Sequence, residues 1–526
     1  KSGDPDPKLR AALALRQADR GNDKALLDLQ NIAAADTGTR TDLALIAARL
    51  GRKDLDGALK AIDALQKKLP DKPLAYQLRG RVQMLKNDDK GAVASFEKAL
   101  SFDPVYFPAV SSLAALDLKA GQPDRARQRF DELLKVDPKN YQALLALAEL
   151  KARAGGSKQD VAALIGQAVK LNPGEPTPRL LLMRHLLAYG DGKAALAAAQ
   201  DATAALPDNL DVMEGLGQAQ IAAGQPQQAV TTFKKLAALQ PTRAQPQIRL
   251  ADAYMASRDA EGATAAYRRA LEINPKLIGA QRALVRLAVA DRKPLDAEIV
   301  ARKVQEQRPT EGIGWMLQGD VELARKNWDA AFAAYRTALQ KTKDTETAAH
   351  LHTALTEAGR ADEADRFAAG WLADHPKDAV FIFHQGDLLT ARQQCAAAEA
   401  RYRKVLELQP DSALAYNNIA WLLLKQNKPG AVAAAEKANS LLPDRPPLQD
   451  TLALALLAEN QAPKALEVQK RALENAPEDP TLMLTLARIY LKTGDKSSAR
   501  AQLEKLSKLG SRFGGQAEVT ELLKSV

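Results

Sequence analysis

Five histidines and one cysteine carry most of the side-chain chemistry this sequence could perform by itself: His185, His350, His352, His375, His384 and Cys395. A metal would need three or four such groups converging, and a nucleophile would need a base beside it. His350 and His352 stand two residues apart, so on a helix they face different directions and do not chelate together. His352 reads as a packing residue, and His375, next to Pro376, as a solvated loop residue. One cysteine rules out an internal disulfide framework and a thiolate metal cluster. Glycine-rich phosphate loops, metalloprotease helix motifs and serine elbows are all missing from the sequence. The expectation is a protein that is not an enzyme, with no catalytic, cofactor-binding or metal-binding residue. Whatever it does, it does by holding other molecules.

The elements that would do the holding announce themselves through proline. Pro70, Pro104, Pro138, Pro173, Pro207, Pro241, Pro275 and Pro309 are spaced by 34 or 35 residues. The series resumes in phase at Pro376, Pro410, Pro443 and Pro477, with Lys343 standing where one proline is expected. A period of 34 marks a helical repeat array, whose units bury their apolar faces only when stacked.

Inside each unit a second register appears. Alanine recurs near position 20, as in Ala58, Ala92, Ala126, Ala229, Ala263 and Ala331. Position 8 is usually Gly or Ala, as in Gly80, Ala114, Gly217, Ala251, Gly319 and Gly386. Position 24 is often aromatic, as in Phe96, Phe130, Phe233, Tyr267, Tyr335 and Tyr402. Small residues at fixed points let two helices approach closely, and large ones fill what remains. Position 15 favours Gly or Asn (Gly121, Gly155, Gly224, Asn87, Asn427), residue types that close a helix in the left-handed conformation. Each unit therefore reads as helix, tight turn, helix, stop.

These residues resemble the tetratricopeptide family. The unit from Pro73 matches its pattern with Gly80, Ala92, Phe96, Ala99 and Pro104, and the unit from Ala244 with Leu250, Tyr254, Ala263, Tyr267, Ala270 and Pro275. The resemblance implies an all-α fold, a right-handed superhelical solenoid of about fifteen TPR helix hairpins with a C-terminal capping helix. Residues 1–513 are expected to form one continuous solenoid, and 514–526 the cap, with Val519, Leu522 and Leu523 as its apolar face. The first unit is degenerate. Irregular units are expected near 141–175, which holds Gly155-Gly156-Ser157 and one extra residue, and near 343–378, where the proline is missing. Both are places where pitch changes or the chain is locally slack.

The family also implies which side chains face a ligand: positions 2, 5, 9, 12 and 13 of each first helix line the concave face. Carried over, these give Arg184, Arg282, Arg286, Asp320, Phe383, Asp387, Asn417, Trp421 and Asp450 as candidate binding residues, with Met316, Glu214, Asp252 and Gln218 among them. Asn417 and Trp421 lie one helical turn apart, setting a hydrogen-bonding amide beside a ring. That pair suits an extended peptide backbone or a sugar, unless Trp421 packs between hairpins. Adaptors that hold a chaperone's C-terminal carboxylate need a lysine at position 5; none appears there, so that role is disfavoured.

Composition narrows the partners further. The net charge of +10 arises from 74 basic against 64 acidic residues mixed in every unit, without a basic block, and aromatics are 5% and mostly at core positions. Nucleic acid is not an expected partner. The sequence holds no apolar run long enough to span a bilayer.

The runs Ala413–Leu424, Leu448–Leu457 and Leu503–Leu523 resemble the TPR-repeat lipoprotein of bacterial exosortase/PEP-CTERM exopolysaccharide systems. That resemblance implies a scaffold of the periplasm or cell envelope, binding protein or polysaccharide components of exopolysaccharide export and PEP-CTERM protein sorting. It also implies membrane association through an N-terminal lipid anchor on a segment preceding Lys1. The alternatives are the substrate-presenting TPR region of a larger glycosyltransferase-like enzyme and a generic cytoplasmic protein-complex assembly scaffold.

Overall fold

The computed structural model describes residues 23–36 and 38–526, and these contain thirty α-helices, one 3-10 helix (Gly510–Arg512) and no strand. The first expected unit begins near residue 5, and its first helix lies outside the described residues; its second is Asp23–Ala35.

Helices alternate with short connections. In the hairpin Pro73–Leu85 and Asp89–Phe102, three residues join the two helices. The middle one, Asn87, has φ +60°, and every corresponding residue from Lys53 to Gly494 is likewise left-handed. Asp88 N–H then donates back to Gln83 O at 2.9 Å, closing the helix end, as Gln122 does to Asp117 O. Gly and Asn at this point were legible from the sequence. Lys53, Arg258, Arg292, Lys326 and Gln393 adopt the same conformation without any such preference, because the hairpin geometry imposes it.

Two devices start many of the second helices. Asp54, Asp88 and Asp259 cap theirs by accepting from Gly57, Gly91 and Gly262 N–H at 2.8–2.9 Å. In others proline takes the first helical position, as at Pro123, Pro226 and Pro294, and the helices from Trp328, Ala361 and Cys395 have neither device. These helices end two residues before the periodic proline; Trp328–Lys341 ends two before Lys343 in the same way. The missing proline therefore leaves the stop intact, and that linker, 342–344, is shorter by one residue. The extra residue of the unit from Tyr141 sits in the turn between Tyr141–Arg153 and Lys158–Leu171, where Ser157 accepts from Asp160 N–H.

The alanines of position 20 are buried throughout. Position 8 meets position 24 within the same hairpin: a Cβ on Gly80 would lie 2.5 Å from Phe96, and one on Gly217 2.4 Å from Phe233. The aromatic ring occupies the space the glycine leaves.

The chain forms two compact units, one ending at Leu186 and taking in Ala197–Gly215, the other holding Leu187–Leu196 and Leu216–Val526. The first unit has successive cores around Leu29 and Ile62, Phe96 and Leu113, and Phe130 and Leu133. The second has one around Val304, Phe332 and Tyr335, and a longer one running from Ala379 through Tyr402 and Ile419 to Ile489. At its end the helix Gln516–Lys524 buries Val519 against Leu484, Leu503 and Leu506, and Glu518 takes a two-pronged bond from Arg488 at 2.6 and 2.7 Å.

Candidate functional site

Two first helices, Ala379–Ala391 and Ala413–Lys425, place Asp387, Asn417 and Trp421 together in one open cleft of about 410 Å³. Thr390, Tyr402 and Asn418 complete its wall. Trp421 is 37% exposed, so its ring faces the cleft rather than packing between hairpins. The Lys425 ammonium, one turn on, lies 5.2 Å from the centre of that ring.

The cleft floor is a hydrogen-bonded frame. Tyr402 donates its hydroxyl to Asp387 Oδ1 at 2.7 Å, and the Asn418 amide donates to the same hydroxyl oxygen. Burial, and the Asp387 charge beside it, push the Tyr402 phenol up to about 12, so it stays a donor. Thr390 donates to Gly386 O at 2.8 Å. Phe383 is half-buried and stands edge-on to Tyr402, with ring centres 5.1 Å apart. Asn417 differs from its neighbours: its side-chain oxygen is buried with no hydrogen-bond partner among the described residues. An acceptor left so costs about 1–3 kcal/mol, which a donor from a ligand would recover once the amide turns to expose it.

The Asp387–Tyr402 bond repeats elsewhere in the second unit. Tyr335 donates to Asp320 Oδ1 at 2.8 Å and Tyr267 to Asp252 Oδ1 at 3.3 Å, always from position 24 to position 9. Asp320 is also bonded to His350 Nδ1 at 2.7 Å, and this bond raises the imidazole's pKa. Asp320 is thus held by two partners inside its own part of the array.

The remaining candidates are not gathered into the cleft. Arg184 and Arg286 are exposed, and Arg282 forms an ion pair with Glu346. Asp450 is only 8% exposed; Gln469 donates to it at 2.7 Å, Thr485 bonds it as well, and its burial raises its pKa. Met316, expected on the ligand face, is buried in the core around Tyr335.

The histidines resolve into packing roles. His352 is buried between Phe381 and His384, with its Nδ1 3.5 Å from His384 Nε2, and desolvation lowers its pKa to about 4. His375, expected in solvent, instead stacks on Trp371 with ring centres 4.0 Å apart. Its ring nitrogen bonds the Trp371 carbonyl, so the helix end and the indole both hold it. Among the described residues no three His, Cys, Asp or Glu are gathered to hold a metal ion, and no helix is long and apolar enough to cross a membrane.

Of the cleft residues that the sequence reading left out, Thr390 sits at an inward position 12 and was within reach of the same rule. Asn418 and Tyr402 occupy positions outside the inward set, and only the chain of bonds from Asn418 to the Tyr402 hydroxyl and on to Asp387 brings them to the site.

Profiles of the tetratricopeptide repeat match residues 41–106, 84–150, 186–253, 220–287, 282–345, 402–431 and 456–511, more than half of the chain between them. The chain belongs to the tetratricopeptide-repeat family. Among curated relatives, a cellulose synthase operon protein C from Pseudomonas fluorescens (strain SBW25) is 24% identical over 384 residues. That alignment covers 66% of this TPR chain but 30% of the relative, so the chain spans less than a third of the length of the protein it matches. Similar solved structures include yeast Tom70, with a TM-score of 0.41 at 14% identity, covering 82% of this chain and 97% of that one. The Cut9–Hcn1 hetero-tetramer of APC/C gives a TM-score of 0.34 at 12% identity, covering 87% and 98%.

Proposed function

We propose that this TPR array is a non-catalytic binding scaffold of a bacterial exopolysaccharide system, acting at the cell envelope and holding components of that system on the face made by its first helices. The observation that carries the reading is the cleft of Asp387, Asn417 and Trp421, where an exposed ring and an unpartnered amide oxygen stand on one rigid pair of hairpins. A rigid frame with open hydrogen-bonding capacity suits binding: little entropy is lost when a guest arrives. The relative from a cellulose synthase operon supports the exopolysaccharide setting. Sorting of PEP-CTERM proteins and a lipid anchor belong to the same proposal and rest on the C-terminal sequence runs alone.

The test is affinity capture from native envelope with the full chain as bait. Recovery of polysaccharide synthesis or export proteins is the expected result. Recovery of cytoplasmic assemblies alone would replace the reading with that of a general assembly scaffold.

A further inference from the structure

We infer that the cleft between Ala379–Ala391 and Ala413–Lys425 takes a neutral glycan chain, with a sugar ring stacked on Trp421. This deepens the scaffold reading and rests on it for its setting.

The site's two charges, Asp387 and Lys425, are opposite in sign, and each disfavours one class of guest. The Asp387 carboxylate lines the cleft and repels an anionic polymer. Lys425 already holds its ammonium over the Trp421 ring, where a lysine or arginine of a guest would seek its cation–π contact. A cationic peptide therefore meets a like charge at the site's one exposed indole. A guest without net charge meets neither repulsion.

The hydrogen-bond inventory and the exposed ring together then favour a glycan over a peptide. The hydroxyls of Tyr402 and Thr390 and the amide of Asn418 are already donating, to Asp387, Gly386 O and Tyr402. Acceptor capacity is left over in the second oxygen of Asp387 and the unpartnered Asn417 Oδ1, beside the N–H groups of Asn417 and Trp421. No hydrogen bond holds the Asn417 oxygen in place, so turning the amide toward a guest breaks none at that atom. A peptide backbone presents a carbonyl for every N–H and so offers these acceptors fewer donors than a polyhydroxyl chain does. A glycan offers a row of hydroxyls, each able to donate, and its pyranose rings carry apolar C–H faces that stack on an indole. Val380 and Leu414, exposed at position 2 of the same two helices, extend the apolar side of the track for further rings.

The test titrates the full chain with cellohexaose, maltohexaose and chitohexaose, read by calorimetry and by tryptophan fluorescence. At least one is expected to bind, with affinity at least tenfold weaker in Trp421→Ala, largely restored in Trp421→Tyr, and several-fold weaker in Asp387→Asn. Thermal melting of each variant checks that the hairpins remain folded. Binding of none of the three, or equal binding by Trp421→Ala, would overturn the glycan assignment, as would competition by an uncharged extended peptide. If titration fails while envelope capture still recovers export components, the scaffold stands without this ligand. If titration succeeds and capture yields only cytoplasmic assemblies, the cleft stands and the setting falls.

Discussion

Gly319 lies beneath the ring of Tyr335, and a Cβ there would come within 2.4 Å of it. The same fit joins Gly386 to Tyr402. Where position 8 is alanine instead, the ring is pushed slightly outward: Phe130 opposite Ala114 and Tyr267 opposite Ala251 keep 4% and 6% exposure, whereas Phe96, Phe233, Tyr335 and Tyr402 have none. The complement also occurs reversed. Met183, Val285 and His352 at position 8 stand in units whose position 24 is Ala199, Ala301 or Ala368. In these units a large residue at one position faces a small one at the other, as close packing favours.

Gly319→Ala should therefore destabilise its part of the array by about 1–3 kcal/mol through overpacking, since the fully buried ring must leave its present fit to make room. Combining it with Tyr335→Leu should recover part of the loss, less the bond to Asp320. Urea melts of the single and double variants measure both.

Lys326 holds φ +57° at a turn where several other hairpins have glycine. The left-handed conformation costs a side-chain-bearing residue about 1–2 kcal/mol, against about 0.5–1 kcal/mol of extra chain entropy for glycine. Lys326→Gly should raise stability by about 0.5 kcal/mol, seen as a small upward shift in the melting midpoint.

Stability should fall on acidification through His352. Its folded pKa near 4 lies below the ordinary 6.5 because burial penalises the imidazolium. Between those values the unfolded chain takes up the proton and the folded one does not, so the stabilising contribution is complete above about 6.5 and is lost as pH falls towards 4. His384 shifts in the same direction. His350, raised by Asp320, opposes them: its contribution is present below the ordinary value and is lost as pH rises through its folded one. His352→Met, which copies the Met183 and Ala199 pairing, should remove about 2 kcal/mol of the difference between urea melts at pH 7.5 and pH 4.5, a figure discounted for solvent screening.

Asp450 and Trp421 should separate framework from cleft. Asp450→Ala removes a buried partner of Gln469 and Thr485 and should cost about 1–3 kcal/mol in thermal melting. Trp421→Ala, at an exposed ring, should change stability by less than about 1 kcal/mol. A large loss from Trp421→Ala would show that the indole holds hairpins together.

The hairpins were legible because proline, the position 15 glycines and the position 8 and 24 pairs each repeat in one phase, so chance matches are averaged away. The site was legible only in part. The inward-facing rule finds Asp387, Asn417 and Trp421, but it also selects Asp450 and Met316, which neighbouring side chains bury. Burial depends on what stands opposite in the next hairpin, and a rule that reads one helix at a time does not contain that information. His375 was misread for a related reason: its position before a proline signals a loop, while the Trp371 ring that covers it lies one turn back on the helix.

Both members of the position 8 and 24 fit belong to the same hairpin, so a repeat that has it carries its own lock and key. A segment excised at the linkers and duplicated, deleted or transplanted elsewhere in the array takes its internal fit with it, and only the seams need to be matched anew. Such a chain can lengthen or shorten by whole repeats over evolutionary time, gaining or losing binding surface without redesigning its interior.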